Sequence, residues 1–207
     1  MMIFREQLKF VRSPIAFVKQ LATNPDALKI GFRNVLAMAF LYEIAILLWA
    51  LGSDGVTLPT FLKIPDEQYY FYELIFLIPM FIVTWLLASG LAYVISTALG
   101  GDGSFDAILG GFGVGMAVSF YFSLIPDLIQ GILWTTGLVP FHEYLEITSK
   151  GIPAAIVWTY LAGWLFAHLI FYSITIIHTQ NLSKSRATFT ALVSFLGSFG
   201  VWITIVR

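Results

Sequence analysis

The sequence predicts an all-α fold: a polytopic transmembrane helical bundle of about five spans. Three observations predict it. Hydrophobic residues make up 58% of the 207 positions and charged residues only 11%, with a mean hydropathy of +0.86. A soluble domain carries about a quarter charged residues, so this chain lacks the polar groups to cover a water-facing surface. Apolar stretches of about 20 residues or more, the length that crosses a bilayer core, recur along the chain between short polar or glycine-rich segments. Aromatic residues are abundant, at 19 Phe, 9 Tyr and 6 Trp, as suits membrane interfaces and lipid-facing surfaces.

Residues 1–31 form an amphipathic segment ahead of the bundle, which occupies residues 32–207 as a single domain. Ile3, Phe4, Leu8, Val11, Ile15, Val18 and Leu21 recur at near-helical spacing, with Arg5, Lys9, Arg12 and Lys19 between them. That pattern fits an interfacial helix in the headgroup plane, its basic side chains on anionic lipid. It fits equally a short tail that only sets topology. Ser13-Pro14 divides the helix into two pieces, and Asn24-Pro25-Asp26 marks a turn or a helix start. With no apolar h-region and cleavage site, no cleavable signal peptide is expected.

The first span covers 32–51 and is apolar except for Glu43. A polar loop with Pro59 and Pro65 follows. The second span, 69–98, exceeds the length of the hydrocarbon core, so tilt or protruding ends are expected. Tyr69, Tyr70 and Tyr72 anchor its start, and Pro79 is placed to kink it. The third span, 105–138, is long and irregular, and Pro126-Asp127 admits a reading as two helices. Residues 140–153 read as a loop, followed by spans at 154–178 and 186–206. No internal repeat or linker marks a second domain.

Orientation follows from the cations. With the N-terminus inside, the inside segments hold Arg5, Lys9, Arg12, Lys19, Lys29, Arg33, Lys184 and Arg186, and the outside segments hold Lys63, Lys150 and Arg207. The positive-inside rule therefore predicts a cytoplasmic N-terminus, and the odd number of spans an outside C-terminus.

Glu43, Asp127 and His168 are the candidate intramembrane polar site. A charged side chain in a span costs about 3 kcal/mol on insertion scales and faces protein rather than lipid. Glu43 reads either as an ion or proton site, with His168 as a possible partner, or as a structural hydrogen bond. Pro126 frees carbonyls near Asp127, as in the broken helices of transporter sites or where a helix leaves the membrane. His168 and His178 read as packing residues or ligands. His142 and Glu146, four apart in an outer loop, make a weak metal pair with no third ligand. Gly111 and Gly115, four apart, permit close helix packing.

No HExxH, Gly-x-Ser-x-Gly, P-loop or dense acidic motif is present, so an enzyme is not expected, and neither is a cofactor. A net charge of −1 gives no electrostatic basis for a nucleic-acid partner. The absence of cysteine excludes disulfides, thiolate metal sites and thiol catalysis.

Two stretches carry a family resemblance. Leu99-Gly100-Gly101-Asp102-Gly103-Ser104-Phe105 closes one span and leads into a glycine-rich one that reaches Leu124-Ile125-Pro126. Ile177-His178-Thr179-Gln180-Asn181-Leu182-Ser183-Lys184-Ser185-Arg186-Ala187 makes a hairpin before the last span. Together with Pro14 to Phe17 and Asn24-Pro25, these resemble the Yip1-domain family over nearly the whole chain. Gly100, Gly101, Gly103, Ser104 and Phe105 are the motif turn. The resemblance implies five spans, a cytoplasmic N-terminus and a C-terminus on the far side. Eukaryotic members act in vesicle traffic and contact Rab GTPases and one another. The chain departs from them. It lacks their long N-terminal domain and the Asp-Leu-Tyr-Gly-Pro motif, and Gly111-Phe112 stands where they have Gly-Tyr. The resemblance therefore points to the prokaryotic branch, in the plasma (inner) membrane, rather than to a small-GTPase partner.

The functional expectation is a non-enzymatic protein that organises the bilayer, further copies of itself or other membrane proteins, in a trafficking or membrane-shaping role. The alternative is a small permease or ion or proton conductor that uses Glu43, Asp127 and His168.

Overall fold

The computed structural model describes residues 2–57 and 62–205 and contains eight α-helices, with no strand among the described residues. They are α1 (Met2–Arg12), α2 (Pro14–Ala22), α3 (Ala27–Gly52), α4 (Tyr69–Ala98), α5 (Phe105–Thr135), α6 (Phe141–Thr148), α7 (Gly151–Gln180) and α8 (Lys184–Ile205). Five of them, α3, α4, α5, α7 and α8, are long and apolar enough to cross a membrane. Pro59, Arg207 and the end of the last predicted span lie outside the described residues.

The helix ends follow from local chemistry. The Ser104 hydroxyl accepts from the Ala107 amide at 3.2 Å and so caps α5. Gly100 turns the chain out of α4 with φ of +93°, a conformation that costs glycine little. Asn181, at φ of +56°, ends α7 in the left-handed conformation that Asn tolerates. Pro153 sits in the first turn of α7, where no helical hydrogen bond is lost.

Three boundaries differ from the sequence expectations. The third span is a single helix that stops at Thr135 rather than 138, and Pro126 does not divide it. In lipid a broken backbone has no water to satisfy it, so a helix persists through a proline at the loss of one hydrogen bond. Residues 140–153, expected as loop, contain α6, which starts at Phe141 directly after Pro140. Its Phe141 packs edge-on against Trp134 with ring centroids 4.9 Å apart. The helices also extend past the predicted spans, α3 starting at Ala27 and α7 at Gly151.

α3 and α5 run parallel at the centre of the bundle. Their closest approach needs glycine. A Cβ on Gly113 would lie 2.6 Å from the backbone of Gly31, and one on Gly31 would lie 2.4 Å from the Leu109 carbonyl. Lipid is as apolar as leucine, so apolar burial gives helices little reason to associate there, and this contact holds through dispersion between backbones. Gly111 and Gly115 face α7, where added Cβ atoms would meet the Thr175 side chain at 2.3 Å and the Phe171 side chain at 3.1 Å. α4 and α8 close the other side.

At one end of the bundle the α4–α5 and α7–α8 turns lie against each other. A Cβ on Gly103 would overlap the Thr179 carbonyl at 1.6 Å. Asn181 donates to the Asp102 carboxylate at 2.8 Å, and the Arg186 guanidinium donates to the Leu99 carbonyl at 3.0 Å. The two stretches that carry the family resemblance therefore form one cluster. It shares this end with Lys29, Lys184 and Arg186, and we call it the basic end. Among the described residues the opposite end holds Lys63 and Lys150.

α1 and α2 form a hairpin docked on the bundle near the basic end. Phe10 is fully buried against Val114 and Val118 of α5 and Phe171 of α7. The Tyr121 hydroxyl donates to the Gln7 side chain at 2.8 Å. Glu6 pairs with the Arg33 guanidinium and accepts from the Asn34 side-chain amide at 3.1 Å. Of the apolar residues singled out in this segment, Val18 and Leu21 are buried, whereas Phe4, Leu8, Val11 and Ile15 form an exposed second stripe.

Candidate functional site

The half of the bundle away from the basic end holds a chamber of about 420 Å³, within the size range of small-molecule sites. It lies between α3, α5 and the first half of α7, bounded by α4, α6 and the last turns of α8. It exists because α7 is docked along only part of its length. Ala167, His168, Tyr172, Thr175 and Ile176 are buried, but Ile152, Ile156 and Trp158 near its start are exposed.

One face of α5 supplies the polar floor. Phe120, Ser123, Asp127 and Gln130 recur every three or four residues and therefore line one side. α3 holds this floor in place. The Tyr42 hydroxyl donates to the Asp127 carboxylate and lies 2.8 Å from the Ser123 hydroxyl, and the Trp49 indole donates to the Asp127 backbone carbonyl at 2.9 Å. Asp127 is thus a buried acid whose one side-chain donor is neutral.

The second acid is Glu73, on α4. It lines the same chamber and is only 3% exposed, and neither carboxylate oxygen has a hydrogen-bond partner. Among the described residues no Lys or Arg lines the chamber. The remaining wall mixes aliphatic side chains such as Ile46 and Leu161 with aromatic ones, including Trp49, Tyr144, Trp158, Tyr160, Trp164 and Trp202. Outside the spans, burial raises the Tyr144 hydroxyl above its ordinary pKa, and the nearby Asp127 charge adds to the rise.

The three polar residues picked from sequence do not converge. Asp127 is on the chamber floor. His168 is behind an aromatic partition, its ring centroid 5.3 Å from Phe120 and 4.8 Å from Trp164, with its Nδ1 3.0 Å from the Trp164 carbonyl. A void of only about 10 Å³ adjoins it, room for about one water. Glu43 is half-buried on α3 and does not line the chamber. Glu73 was not among the sequence candidates. The signal for it was the stripe of Tyr69, Tyr70, Leu77, Phe81, Thr84 and Trp85, all buried and all one or more turns from it on the same face.

Glu146 pairs with Lys150 at 3.6 Å in an exposed ion pair, and His142 is exposed beside it. Among the described residues no three His, Asp or Glu side chains cluster closely enough to hold a metal ion. No protein-family model matches the chain, and no curated protein and no solved structure matches it either.

Proposed function

We propose that this is a multi-pass integral membrane protein of Yip1-like layout, with its basic end in the cytoplasm, in a prokaryotic plasma membrane. On this reading it is not an enzyme. It organises the bilayer, further copies of itself or other membrane proteins. The observation that carries the reading is the α1–α2 hairpin. Its Phe10 side anchors it to α5 and α7, and the Glu6–Arg33 pair holds it to α3. Its exposed stripe of Phe4, Leu8, Val11 and Ile15 alternates with Arg5, Lys9 and Arg12. Such a helix buries its apolar side about 5–10 Å into one leaflet and keeps its cations at the headgroups. Fixed to a five-helix bundle, it acts as a wedge in that leaflet. Reconstitution tests this. Vesicles of anionic lipid with the native chain should be smaller and more curved than vesicles with the Leu8→Ser, Val11→Ser double variant at equal protein density. Identical vesicle shapes would remove the wedge role.

The second reading is a small permease, favoured by the acidic chamber. Of the residues first considered for that path, Asp127 keeps its place, and Glu73 replaces Glu43 as the second acid. On this reading the path keeps to the chamber half, since the rings of Phe120 and Trp164 stand between the chamber and His168. Flux into liposomes that falls in the Asp127→Asn variant would favour this reading over the first.

A further inference from the structure

The chamber has a charge requirement that its own residues do not meet. Asp127 and Glu73 line one half-open space, Glu73 with both oxygens buried and unpartnered, and among the described residues no Lys or Arg side chain lines it. A buried acid without a cation is costly. Beyond the described residues, a proton or a bound cation would supply the missing positive charge. A proton would account for Glu73, but not for the rest of the site. The space is far larger than a protonated carboxyl needs, and tryptophan, tyrosine and phenylalanine residues make up much of its wall, with aliphatic side chains between them. Aromatic surfaces beside a carboxylate are the usual setting for organic ammonium groups, held by cation–π attraction and by the acid together. A metal ion prefers several converging oxygen ligands, and among the described residues no three His, Asp or Glu side chains cluster to hold one.

We propose that the chamber is a binding site for an organic ammonium cation with an apolar body. Glu73 and Asp127 supply the charge, and Trp49, Trp158 and Trp164 supply the aromatic faces. The gap beside the free half of α7 is the entry, since Trp158 is 71% exposed at its edge. This site is independent of the hairpin's role in the leaflet, and it stands whether or not the ligand is carried across.

Benzyltrimethylammonium and its uncharged carbon isostere, neopentylbenzene, make the decisive pair of probes. Binding is read by tryptophan fluorescence and by calorimetry on the purified full chain in phosphatidylglycerol nanodiscs. The cation should bind at least about tenfold more tightly than the isostere. Glu73→Gln should weaken the cation by about ten- to a hundredfold, the range of a lost charged contact, and leave the isostere unchanged. Glu73 has no partner in the fold to lose, so this variant should elute as a monodisperse species like the native chain. Trp158→Ala, at an exposed position, should weaken the cation by about three- to tenfold. Repeating the titration in phosphatidylcholine nanodiscs separates two sources of the ammonium. Competition by the lipid assigns the site to a headgroup, and undiminished binding assigns it to a free solute. Equal binding of cation and isostere, no binding of the cation, or an unchanged affinity in Glu73→Gln would overturn the proposal.

Discussion

α5 and α7 are nearly the same length, at 31 and 30 residues, and nearly equally apolar, with hydropathy of 1.8 and 1.7 over their most apolar stretches. Yet 83% of that stretch of α5 is buried within the protein, against 11% of that of α7. Hydropathy reports that a helix belongs in lipid but cannot rank helices by centrality, because lipid and protein interior are almost equally good apolar surroundings. What separates the two is side-chain size. α5 opens with Gly110, Gly111, Gly113 and Gly115, which let α3 and α7 approach to backbone contact. α7 opens with Ile152, Ile156 and Trp158, which hold neighbours off and remain largely exposed. The same contrast divides the packing of α5 against α7 into a tight half at the basic end and a half hollowed by the chamber, while α3 stays close to α5 at both ends, as at Gly52 against Thr135.

The comparison can be broken at its tight side first. Gly113→Leu forces a side chain into the Gly31 backbone, and the expected cost is about 3 kcal/mol or more. It should appear as loss of folded protein or a large drop in the detergent denaturation midpoint. Gly90→Ala, in α4 with nothing within 4 Å of the added carbon, serves as the control and should be neutral or stabilising by up to about 1 kcal/mol. Next comes the floor of the chamber. Tyr42→Phe removes the donor to Asp127 and should cost about 1–2 kcal/mol in the same denaturation series. A smaller effect would mean that Asp127 does not depend on α3. The smallest effect belongs to the loose half. Ile156→Ala, exposed on the free part of α7, should change the midpoint by less than about 0.5 kcal/mol. A larger loss would show that this part of α7 is packed.

The bundle itself was legible in the sequence, because span length and hydropathy are properties of each helix alone. The motif turns were legible too. Glycine at 100 and 103 and Asn at 181 announce backbone geometry that other residues resist. The candidate site was legible only in part. Asp127 stood out beside Pro126 in an apolar run. Glu73 did not, because it follows Tyr69, Tyr70 and Tyr72 and reads as the wet end of a span. Only its position on the buried stripe of α4 shows that it turns inward. His168 was paired with Glu43 by polarity alone. Which faces meet is decided by the α3–α5 glycine contact, and that contact sends the two residues to different sides. Pro126 misled for a related reason: proline breaks helices readily in water and rarely in lipid.

α5 passes from close packing to the chamber within one turn, and Ser119 and Ser123 sit on either side of that boundary. Ser119 is fully buried and bonded to the Gly115 carbonyl at 2.8 Å, while Ser123 lines the chamber. The chain has no cysteine, so single substitutions report without background. The most direct measurement is the labelling rate of the Ser119→Cys and Ser123→Cys variants with methyl methanethiosulfonate, followed by intact mass. Ser123→Cys should label at least about tenfold faster, and benzyltrimethylammonium should slow it. Equal rates at the two positions, or faster labelling of Ser119→Cys, would contradict the chamber and the account built on it.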